Sequence, residues 1–372
     1  MAPIRVGIIG LSSKATTSWA SRAHLPYLLA SNGKYEIIAL CNSSVDAAQA
    51  AINSYKLPSS TKAYGDPQAL ANDPDIDLVV CSVRVDNHYK TTKPSIEAGK
   101  DVYVEWPLGA NLEEATELAT LAKEKGVKNM VSLEGRISPV YLKVKALLAE
   151  NKIGKVLSSS VVASDGTKAP TTIPEGRKYF LDRRVGGNLL TIFFGHLVDS
   201  IHSVLGPFTN TKSTLSTTRA KVDVLSSSGQ VTETIKPNTP DHIIYSGKLS
   251  NSDSAPISIF LRRAAPFKDT PGFVWSILGE TGEIRVVATG PIFQAAEQSP
   301  QIFVESFESG DVQEVDLEDE QSPFKLPAKN IARLYEAFAS GKQGTFPNFE
   351  DAIGLHKELA EVLKQWDAEG GH

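Results

Sequence analysis

Residues 5–15 read RVGIIGLSSKA, an apolar run that ends at Gly10 and passes into a serine-rich turn. An unbroken run of Val and Ile is typical of a strand buried on both faces of a sheet. A glycine at the end of such a strand lets the backbone approach a pyrophosphate, whose charge the free amides and the dipole of the next helix then attract. The stretch therefore predicts a strand, a tight turn and a helix arranged around a phosphate group.

The first third of the chain repeats this alternation of strand and helix. Predicted strands cover residues 5–9, 35–41, 78–83, 101–105 and 127–133, and predicted helices cover residues 18–29, 45–55, 88–97 and 112–125. Apolar strands that alternate with helices form a parallel sheet covered on both faces. Residues 1–134 are therefore predicted to form an α/β dinucleotide-binding domain of the Rossmann type.

After residue 134 the pattern changes to strands that follow one another directly. Helices are predicted at residues 140–151, 187–204, 328–339 and 349–366, and strands at residues 156–164, 241–249, 257–262, 273–278, 283–288 and 302–306. Consecutive strands favour a mostly antiparallel sheet. We expect residues 135–372 to form a second α/β domain for substrate binding and oligomerisation, an active cleft between the domains, and an exposed polar excursion at residues 216–240.

Composition excludes several classes of partner. The 372 residues carry 38 Lys and Arg against 43 Asp and Glu, a net charge of −5, so there is no positive field to attract nucleic acid or an anionic membrane. Cys41 and Cys81 end predicted strands and are expected to be core residues. No apolar run approaches the ~20 residues of a membrane span, and no targeting signal precedes the first strand. We therefore expect a soluble cytoplasmic protein, and the His and acidic spacings predict no metal site.

The predicted cofactor loop leaves the type of dinucleotide open. Gly10, Leu11, Ser12 and Ser13 are its candidate contacts, although Ser12 and Ala15 stand where the full fingerprint has further glycines. An acid after the second strand would bind a ribose 2′-hydroxyl and select NAD, whereas a base would favour NADP. Asn42 and Ser43 occupy that position. They are candidate cofactor contacts that allow either NAD or NADP.

Two further segments carry a resemblance to a known family. Residues 80–108 read VCSVRVDNHYKTTKPSIEAGKDVYVEWPL, and residues 186–199 read GGNLLTIFFGHLVD. Both resemble the motifs of the Gfo/Idh/MocA oxidoreductases, and within them the subgroup of the fungal galactose-regulon repressor. The resemblance implies an NAD(P)-dependent oxidoreductase that acts on a carbohydrate, a polyol or a related small carbonyl or imine compound. It also implies a homodimer, because the open sheet of the family commonly pairs.

The departures from the family motifs concern proton transfer. Trp106 stands where the resemblance implies a lysine, and a count of four residues back from His196 places Ile192 where it implies an acid. Neither side chain titrates near neutral pH. His196 is therefore the predicted catalytic residue. Asp199, one helical turn later, is expected to orient its imidazole, and Tyr179 is a further candidate proton donor.

Three residues of the first motif are candidate contacts on the nicotinamide side. His88 either contacts the cofactor or merely begins a helix capped by Asn87. Glu105 either accepts from a cofactor ribose or pairs with a polar group in the core. Trp106 either stacks on the nicotinamide or substrate ring or fills the core.

A rival function from another class follows from the missing titratable groups. A sensor that binds a dinucleotide and a protein partner, and so regulates transcription, needs no proton donor. An oxidoreductase needs one in place of the lysine. The residues alone leave both functions open.

Overall fold

We describe a computed structural model of the chain that covers residues 2–14, 19–252, 255–317, 322–342 and 344–371. Its first sheet has six parallel strands in the order β3-β2-β1-β4-β5-β6. The strands are β1 (Ile4–Ile9), β2 (Tyr35–Cys41), β3 (Lys62–Tyr64), β4 (Leu78–Cys81), β5 (Asp101–Glu105) and β6 (Asn129–Ser132). The change of direction in strand order between β1 and β4 is where a doubly wound sheet binds its ligand. The predicted Rossmann-type sheet is confirmed, and only β3 was not foreseen.

Helices connect these strands, and one predicted helix is divided. The helices are α1 (Trp19–Ala23), α2 (Leu25–Leu29), α3 (Val45–Ser54), α4 (Pro67–Ala71), α5 (His88–Glu97) and α6 (Leu112–Lys125). The predicted helix at residues 18–29 is two helices, because Pro26 in the first turn of α2 lacks an amide proton and its ring blocks continuation from the preceding turn. Residue 18, where that prediction began, lies outside the described residues.

The chain divides into two compact units. The first contains Met1–Glu134, Arg184–Gly187 and Ser322–Lys357, and the second contains Gly135–Arg183, Asn188–Gln321 and Glu358–His372. The first division falls where the domain boundary was predicted. The predicted second domain of residues 135–372 includes α9 (Ala328–Ser340) and the first part of α10 (Phe349–Ala368), which in the structure belong to the first unit.

The packing of α9 explains why this helix belongs to the first unit. The Tyr335 ring of α9 stacks on Tyr27 at 5.3 Å and meets Tyr35 and Tyr103 edge to face at 5.1 and 5.2 Å. Tyr335 is fully buried. The sequence predicts that residues 328–339 are helical, but a local pattern does not say which sheet receives the apolar face.

The second unit is built on an eight-stranded sheet in the order β17-β16-β15-β14-β7-β13-β12-β9. All neighbours are antiparallel except β7 and β13, so the predicted mostly antiparallel sheet is confirmed. Its strands are β7 (Val156–Ser164), β9 (Phe208–Ser216), β12 (His242–Leu249), β13 (Pro256–Arg262), β14 (Phe273–Gly279), β15 (Gly282–Ala288), β16 (Gln301–Ser306) and β17 (Val312–Val315).

A small separate sheet corrects the expected polar excursion. Its strands β8 (Thr172–Pro174), β10 (Val222–Leu225) and β11 (Val231–Ile235) lie in the order β11-β10-β8. Val222 and Val224 point to one side of β10 and are buried with Ile173 and Leu181. Residues 222–235 therefore form a hairpin with a core of its own, and the exposed side chains lie mainly on β11.

The remaining helices of the second unit include an unusual turn. They are α7 (Pro139–Ala149), a π-helical segment (Leu189–Phe194) and α8 (Gly195–Leu205). Short 3₁₀ segments cover Val85–Asn87, Glu134–Ile137, Glu175–Leu181 and Arg183–Val185. The predicted helix at residues 187–204 is thus a π turn followed by an α-helix. Within the parts of the chain described here, no helix combines the length and apolar character that crossing a membrane requires.

Both cysteines lie in the core of the first sheet, as predicted. Cys41 and Cys81 are free and buried. The two cysteines lie in one row of the sheet on either side of β1, because Ile9 pairs with Cys41 on β2 and with Cys81 on β4. Burial raises the pKa of the Cys41 thiol to about 12, which keeps it protonated and unreactive at neutral pH.

Candidate functional site

The turn after β1 allows only glycine at position 10. Gly10 has a φ of +101°, and a Cβ there would lie 2.3 Å from the carbonyl oxygen of Ser82, just beyond β4. The turn therefore lies directly against the backbone that follows β4. Close backbone approach at this point is what the first glycine of a dinucleotide-binding turn provides.

The hydrogen bonds of this turn leave its amides for a ligand. The Leu11 carbonyl accepts from Asn42 Nδ2 at 2.9 Å, and the Ser12 carbonyl accepts from the Tyr55 hydroxyl at 3.1 Å. No described residue accepts from the amides of Leu11, Ser12 or Ser13. Adjacent free amides attract an anion, so the turn fits a pyrophosphate group. The Leu11 side chain is buried, which leaves only its backbone for such a contact.

The two candidates after β2 have different surroundings. Asn42 uses its amide nitrogen to hold the cofactor turn, through Leu11 and, at 3.4 Å, through the Ala47 carbonyl. Ser43 is exposed. The structure therefore gives Asn42 a structural contact that the sequence analysis did not foresee, and Ser43 is the exposed hydroxyl of this pair.

His88 lies in the core, and its predicted cofactor contact stays a prediction. Its ring is only 1% exposed, with Nδ1 2.7 Å from the Pro107 carbonyl and Nε2 3.1 Å from the Val83 carbonyl. Burial lowers the pKa of His88, so the ring is neutral and donates through one nitrogen. His88 thus fastens the turn after β4 to the turn after β5. The alternative prediction was that His88 begins a helix capped by Asn87. His88 does begin α5, but the Asn87 side chain makes no capping hydrogen bond.

Glu105, the last residue of β5, is paired with a histidine of the core. Its Oε1 accepts from His24 Nε2 at 2.6 Å, and 11% of its side chain is exposed. The sequence analysis left open whether Glu105 contacts a cofactor ribose or a polar group in the core, and His24 is a polar group in the core. Nothing in the sequence links His24 to Glu105, because 81 positions separate them.

Trp106, the residue directly after β5, packs on a second histidine. The Trp106 indole is 4% exposed, and its centroid lies 4.8 Å from that of His356 on α10. Burial lowers the pKa of His356 to about 4. Sequence reasoning missed His356, which stands in no motif, and the predicted stacking of Trp106 on a ligand ring stays a prediction.

The segment before His196 contains one extra residue per turn. The Gly195 amide donates to the Leu190 carbonyl five residues back, the pattern of a π turn, which occurs frequently at functional sites. The residue four positions before His196 in the sequence is still Ile192, because a backbone hydrogen-bond spacing does not change sequence positions. The Thr191 hydroxyl accepts from the Asn188 amide at 3.0 Å and closes a capping box.

Asp199 is held by an arginine that the sequence analysis did not name as its partner. Arg136 Nε lies 3.0 Å from both carboxylate oxygens of Asp199, and Arg136 Nη2 donates to Oδ1 at 2.7 Å. Asp199 has 3% of its side chain exposed. Because a guanidinium binds a carboxylate strongly, Asp199 is ion-paired with Arg136. Its predicted role in orienting His196 stays a prediction.

The segment that carries Tyr179 packs against the segment before His196. Tyr179 is half-buried in the 3₁₀ segment 175–181, and its ring lies 4.9 Å from that of Phe180. Phe180 in turn meets Phe193 of the π segment at 6.4 Å. His196 follows three positions later. The structure therefore brings together the two segments that carry the candidate proton donors.

A second cluster of polar side chains, formed by His202 of α8, Tyr245 of β12 and Glu358 of α10, was not anticipated. Glu358 of α10 accepts from the Tyr245 hydroxyl at 2.5 Å, and its other oxygen lies 3.6 Å from His202 Nε2. Burial raises the pKa of Glu358 to about 7 and lowers that of His202 to about 4. The sequence gives no sign of this cluster, because its members stand in no motif. Among the described residues, no group of His, Cys, Asp and Glu is arranged to hold a metal ion.

Comparisons with known proteins agree with this geometry. Residues 4–133 match an oxidoreductase family with an NAD-binding Rossmann fold, and residues 139–288 match the C-terminal domain of Gal80p. The chain is 34% identical over 321 residues to the dehydrogenase aclE of Aspergillus oryzae, covering 85% of each protein. It is 28% identical over 294 residues to the galactose/lactose metabolism regulatory protein GAL80 of Saccharomyces cerevisiae, covering 77% of this chain and 67% of that one.

A solved structure extends the likeness to the whole fold. The super-repressor mutant of Gal80p from Saccharomyces cerevisiae superposes with a TM-score of 0.86 at 25% identity, over 98% of this chain and 96% of that one. The sheet and the turn at Gly10 have the geometry of a dinucleotide-binding domain. The chain belongs to the Gfo/Idh/MocA oxidoreductase family and has a fungal Gal80-like relation within it. The expected nicotinamide dinucleotide is confirmed at the level of this NAD-binding family.

Proposed function

We propose that this protein is an NAD(P)-dependent oxidoreductase that acts on a carbohydrate, a polyol or a related small carbonyl or imine compound. The observation that carries the proposal is the turn after β1. Gly10 lies against the backbone beyond β4, and the amides of Leu11, Ser12 and Ser13 have no acceptor among the described residues. A bound nicotinamide supplies a hydride acceptor or donor there. Similarity to the dehydrogenase aclE supports the class of reaction.

The chain's own residues then have to move a proton, because oxidation of a hydroxyl group releases one. Trp106 and Ile192, which stand where the resemblance implies a lysine and an acid, lack a group that titrates near neutral pH. His196 stands at the second position of α8, directly after the π turn, and it is half-buried. We assign the proton transfer to His196, with Tyr179 as the next candidate.

Direct binding tests the cofactor part of the proposal. We expect calorimetric titration of the full chain to show binding of both NADH and NADPH, with less than about a hundredfold difference, since Ser43 offers neither an acid nor a base to the 2′ position. Gly10→Ala should abolish binding, because its Cβ would collide with the Ser82 carbonyl. Gly33→Ala is the matched control, since Gly33 also has a positive φ but has open space around it. No binding by the parent at millimolar dinucleotide would contradict the proposal.

Substitution of His196 tests the proton transfer. We expect His196→Ala and His196→Asn to lower kcat by about 10²-fold or more, the usual contribution of a general acid or base, with cofactor affinity unchanged. The measurement is steady-state oxidation and reduction over a panel of sugars, polyols and carbonyl compounds. If both variants keep the parental rate, the proton comes from another group, and Tyr179→Phe is the next variant to measure.

A second candidate function, that of a regulator without catalysis, is favoured by the loss of two titratable groups. The two positions where the family implies a lysine and an acid hold Trp106 and Ile192, and the likeness to the regulator GAL80 covers 77% of the chain. A regulator that binds a dinucleotide and a protein partner needs neither group. A parent that binds NADH but turns over no compound of the panel would favour this function over the first.

An apolar stripe supports the homodimer that the sequence analysis expects. Five neighbouring strands align Val287, Val274, Val162, Phe260 and Ile244 in one row. Val162 is 54% exposed and Ile244 is 51% exposed, although both lie in the middle of strands. A contiguous apolar surface of this kind marks an interaction site. We propose that a second copy of the chain covers it, which a monomeric mass in solution would contradict.

A further inference from the structure

Three titratable side chains form a hydrogen-bonded series on one face of β5. The Tyr335 hydroxyl lies 2.8 Å from His24 Nδ1, and His24 Nε2 lies 2.6 Å from Glu105 Oε1. Tyr335 and His24 are fully buried, and only Glu105 reaches the surface. The series therefore leads from the core of the first unit to the carboxyl end of its sheet.

The chemistry of the three groups fixes the direction of the hydrogen bonds. Burial raises the pKa of the Tyr335 hydroxyl well above its ordinary value, so the phenol keeps its proton and donates it to His24 Nδ1. With Nδ1 accepting from Tyr335, the ring proton lies on Nε2 and is donated to Glu105. In this arrangement Glu105 is the acceptor.

Aromatic packing holds the imidazole in place. The His24 ring meets Tyr103 edge to face at 5.1 Å and Tyr335 at 5.8 Å. The Tyr335 backbone carbonyl accepts from the Tyr35 hydroxyl at 2.6 Å. A ring enclosed in this way has no room for another rotamer, so the direction of its Nε2–H bond is fixed.

Strand register places Glu105 at the same edge of the sheet as the cofactor turn. Ile9 pairs with Cys81, and Cys81 pairs with Val104, so the next residues, Gly10 and Glu105, end the same row. A dinucleotide spans both halves of such a sheet, and β5 belongs to the half after the switch point. Glu105 Oε1 is bound to His24, whereas no described residue donates to Oε2. A carboxylate oxygen is a suitable acceptor for a ribose hydroxyl.

We propose that His24 and Tyr335 are positioning residues that hold Glu105 as an oriented carboxylate, so that its second oxygen accepts a hydrogen bond from the ribose beside the nicotinamide. This inference rests on the proposed binding of a dinucleotide. It adds that α9, which the chain delivers from its far end, completes the cofactor site through Tyr335.

The test measures NADH affinity by calorimetry on the full chain and its variants. Glu105→Gln and His24→Leu should each weaken binding about tenfold or more, the effect of losing one charge-assisted hydrogen bond or its orientation. His24→Gln should stay within about threefold of the parent, because the Gln amide replaces the Nε2 donor. Glu336→Gln is the matched control: this carboxylate neighbours Tyr335 on α9, binds Tyr27 and Lys34, and should leave affinity unchanged.

A spectroscopic measurement separates positioning from general support of the fold. The ¹⁵N shifts of the His24 imidazole in the parent should show the Nε2–H tautomer, and Tyr335→Phe should convert it to a mixture while the thermal midpoint confirms folding. An Nδ1–H or doubly protonated ring in the parent overturns the inference, even if His24→Leu fails to fold.

The outcomes distinguish this inference from the function on which it rests. A parent that binds no NADH refutes the proposed function and the ribose contact together. A parent that binds NADH while Glu105→Gln binds equally well refutes only the ribose contact. Weak binding by Glu105→Gln with parental binding by His24→Leu refutes the positioning role.

Discussion

Arg136→Met is expected to lower the free energy of unfolding by about 3 kcal/mol, because it leaves a buried carboxylate without its cation. Asp199 has 3% of its side chain exposed, and Arg136 binds it through both Nε and Nη2. Methionine keeps the length and apolar stem of the arginine, so the loss reports the charge and its hydrogen bonds. Denaturant unfolding at neutral pH measures it.

Two further variants make this result specific. Arg136→Met combined with Asp199→Asn should recover much of the loss, since the uncompensated charge is removed with the cation. Arg285→Met is the matched control in the same unit: its partner Glu283 lies 2.7 Å away, but 54% of the Arg285 side chain is exposed. An exposed pair is worth about 0 to 1 kcal/mol. Equal losses in Arg136→Met and Arg285→Met would show that Asp199 is solvated.

The parts of the fold that local patterns control were predictable from the sequence. The apolar runs at β1, β4 and β5 alternate with helices, and this alternation predicts the parallel sheet without knowledge of distant contacts. Gly10 was identified because a strand followed by a glycine and a helix is a local signal. The structure then supplies the reason, a backbone contact with Ser82 that admits no side chain.

The parts that depend on distant contacts were not predictable. Arg136 and Asp199 are 63 positions apart, and His24 and Tyr335 are 311 positions apart. A helical spacing predicts that Asp199 orients His196, but no local pattern reveals the ion pair of Asp199 with Arg136. Likewise, the position of His88 after a strand end does not reveal that two distant backbone carbonyls contact its ring.

The π turn is a local feature that the sequence pattern does not mark. The Gly195 amide donates to the Leu190 carbonyl five residues back, so the helix predicted at residues 187–204 begins with a turn that is one residue longer than an α-helical turn. Ile192 still stands four positions before His196 in the sequence, so the conclusion that His196 lacks an acid at that position is unchanged.

Glu358→Gln is expected to stabilise the protein at alkaline pH and to leave its stability almost unchanged at acid pH. Burial raises the pKa of Glu358 from 4.5 to about 7, and nearby Asp199 raises it further, although the Tyr245 hydrogen bond acts in the opposite direction. A raised pKa means that folding favours the protonated form. Its stabilisation is therefore complete below the unfolded pKa of 4.5 and is lost as the pH rises through about 7.

The neutral amide of glutamine imitates the protonated carboxyl group at every pH. The free energy of unfolding of Glu358→Gln should thus equal that of the parent near pH 4.5 and exceed it by about 3 kcal/mol at pH 8, from a shift of about 2.5 pK units. His202 contributes the opposite slope, because burial lowers its pKa from 6.5 to about 4 and its stabilisation is lost as the pH falls. This contribution is common to both proteins and cancels in the difference.

The same helix offers the control for this difference. Glu361 lies three positions after Glu358 on α10, half-exposed beside Lys364, so Glu361→Gln should shift stability by less than about 1 kcal/mol at any pH. Urea unfolding of the three proteins between pH 4.5 and 8 gives the two difference curves. A Glu358→Gln curve that is flat, or that rises toward acid pH, would mean that the carboxylate is ionised in the folded protein and that His202 carries the matching proton. The Glu358–His202 contact at 3.6 Å would then be an ion pair, and Glu358→Gln would destabilise the protein at neutral pH by leaving that imidazolium unpaired.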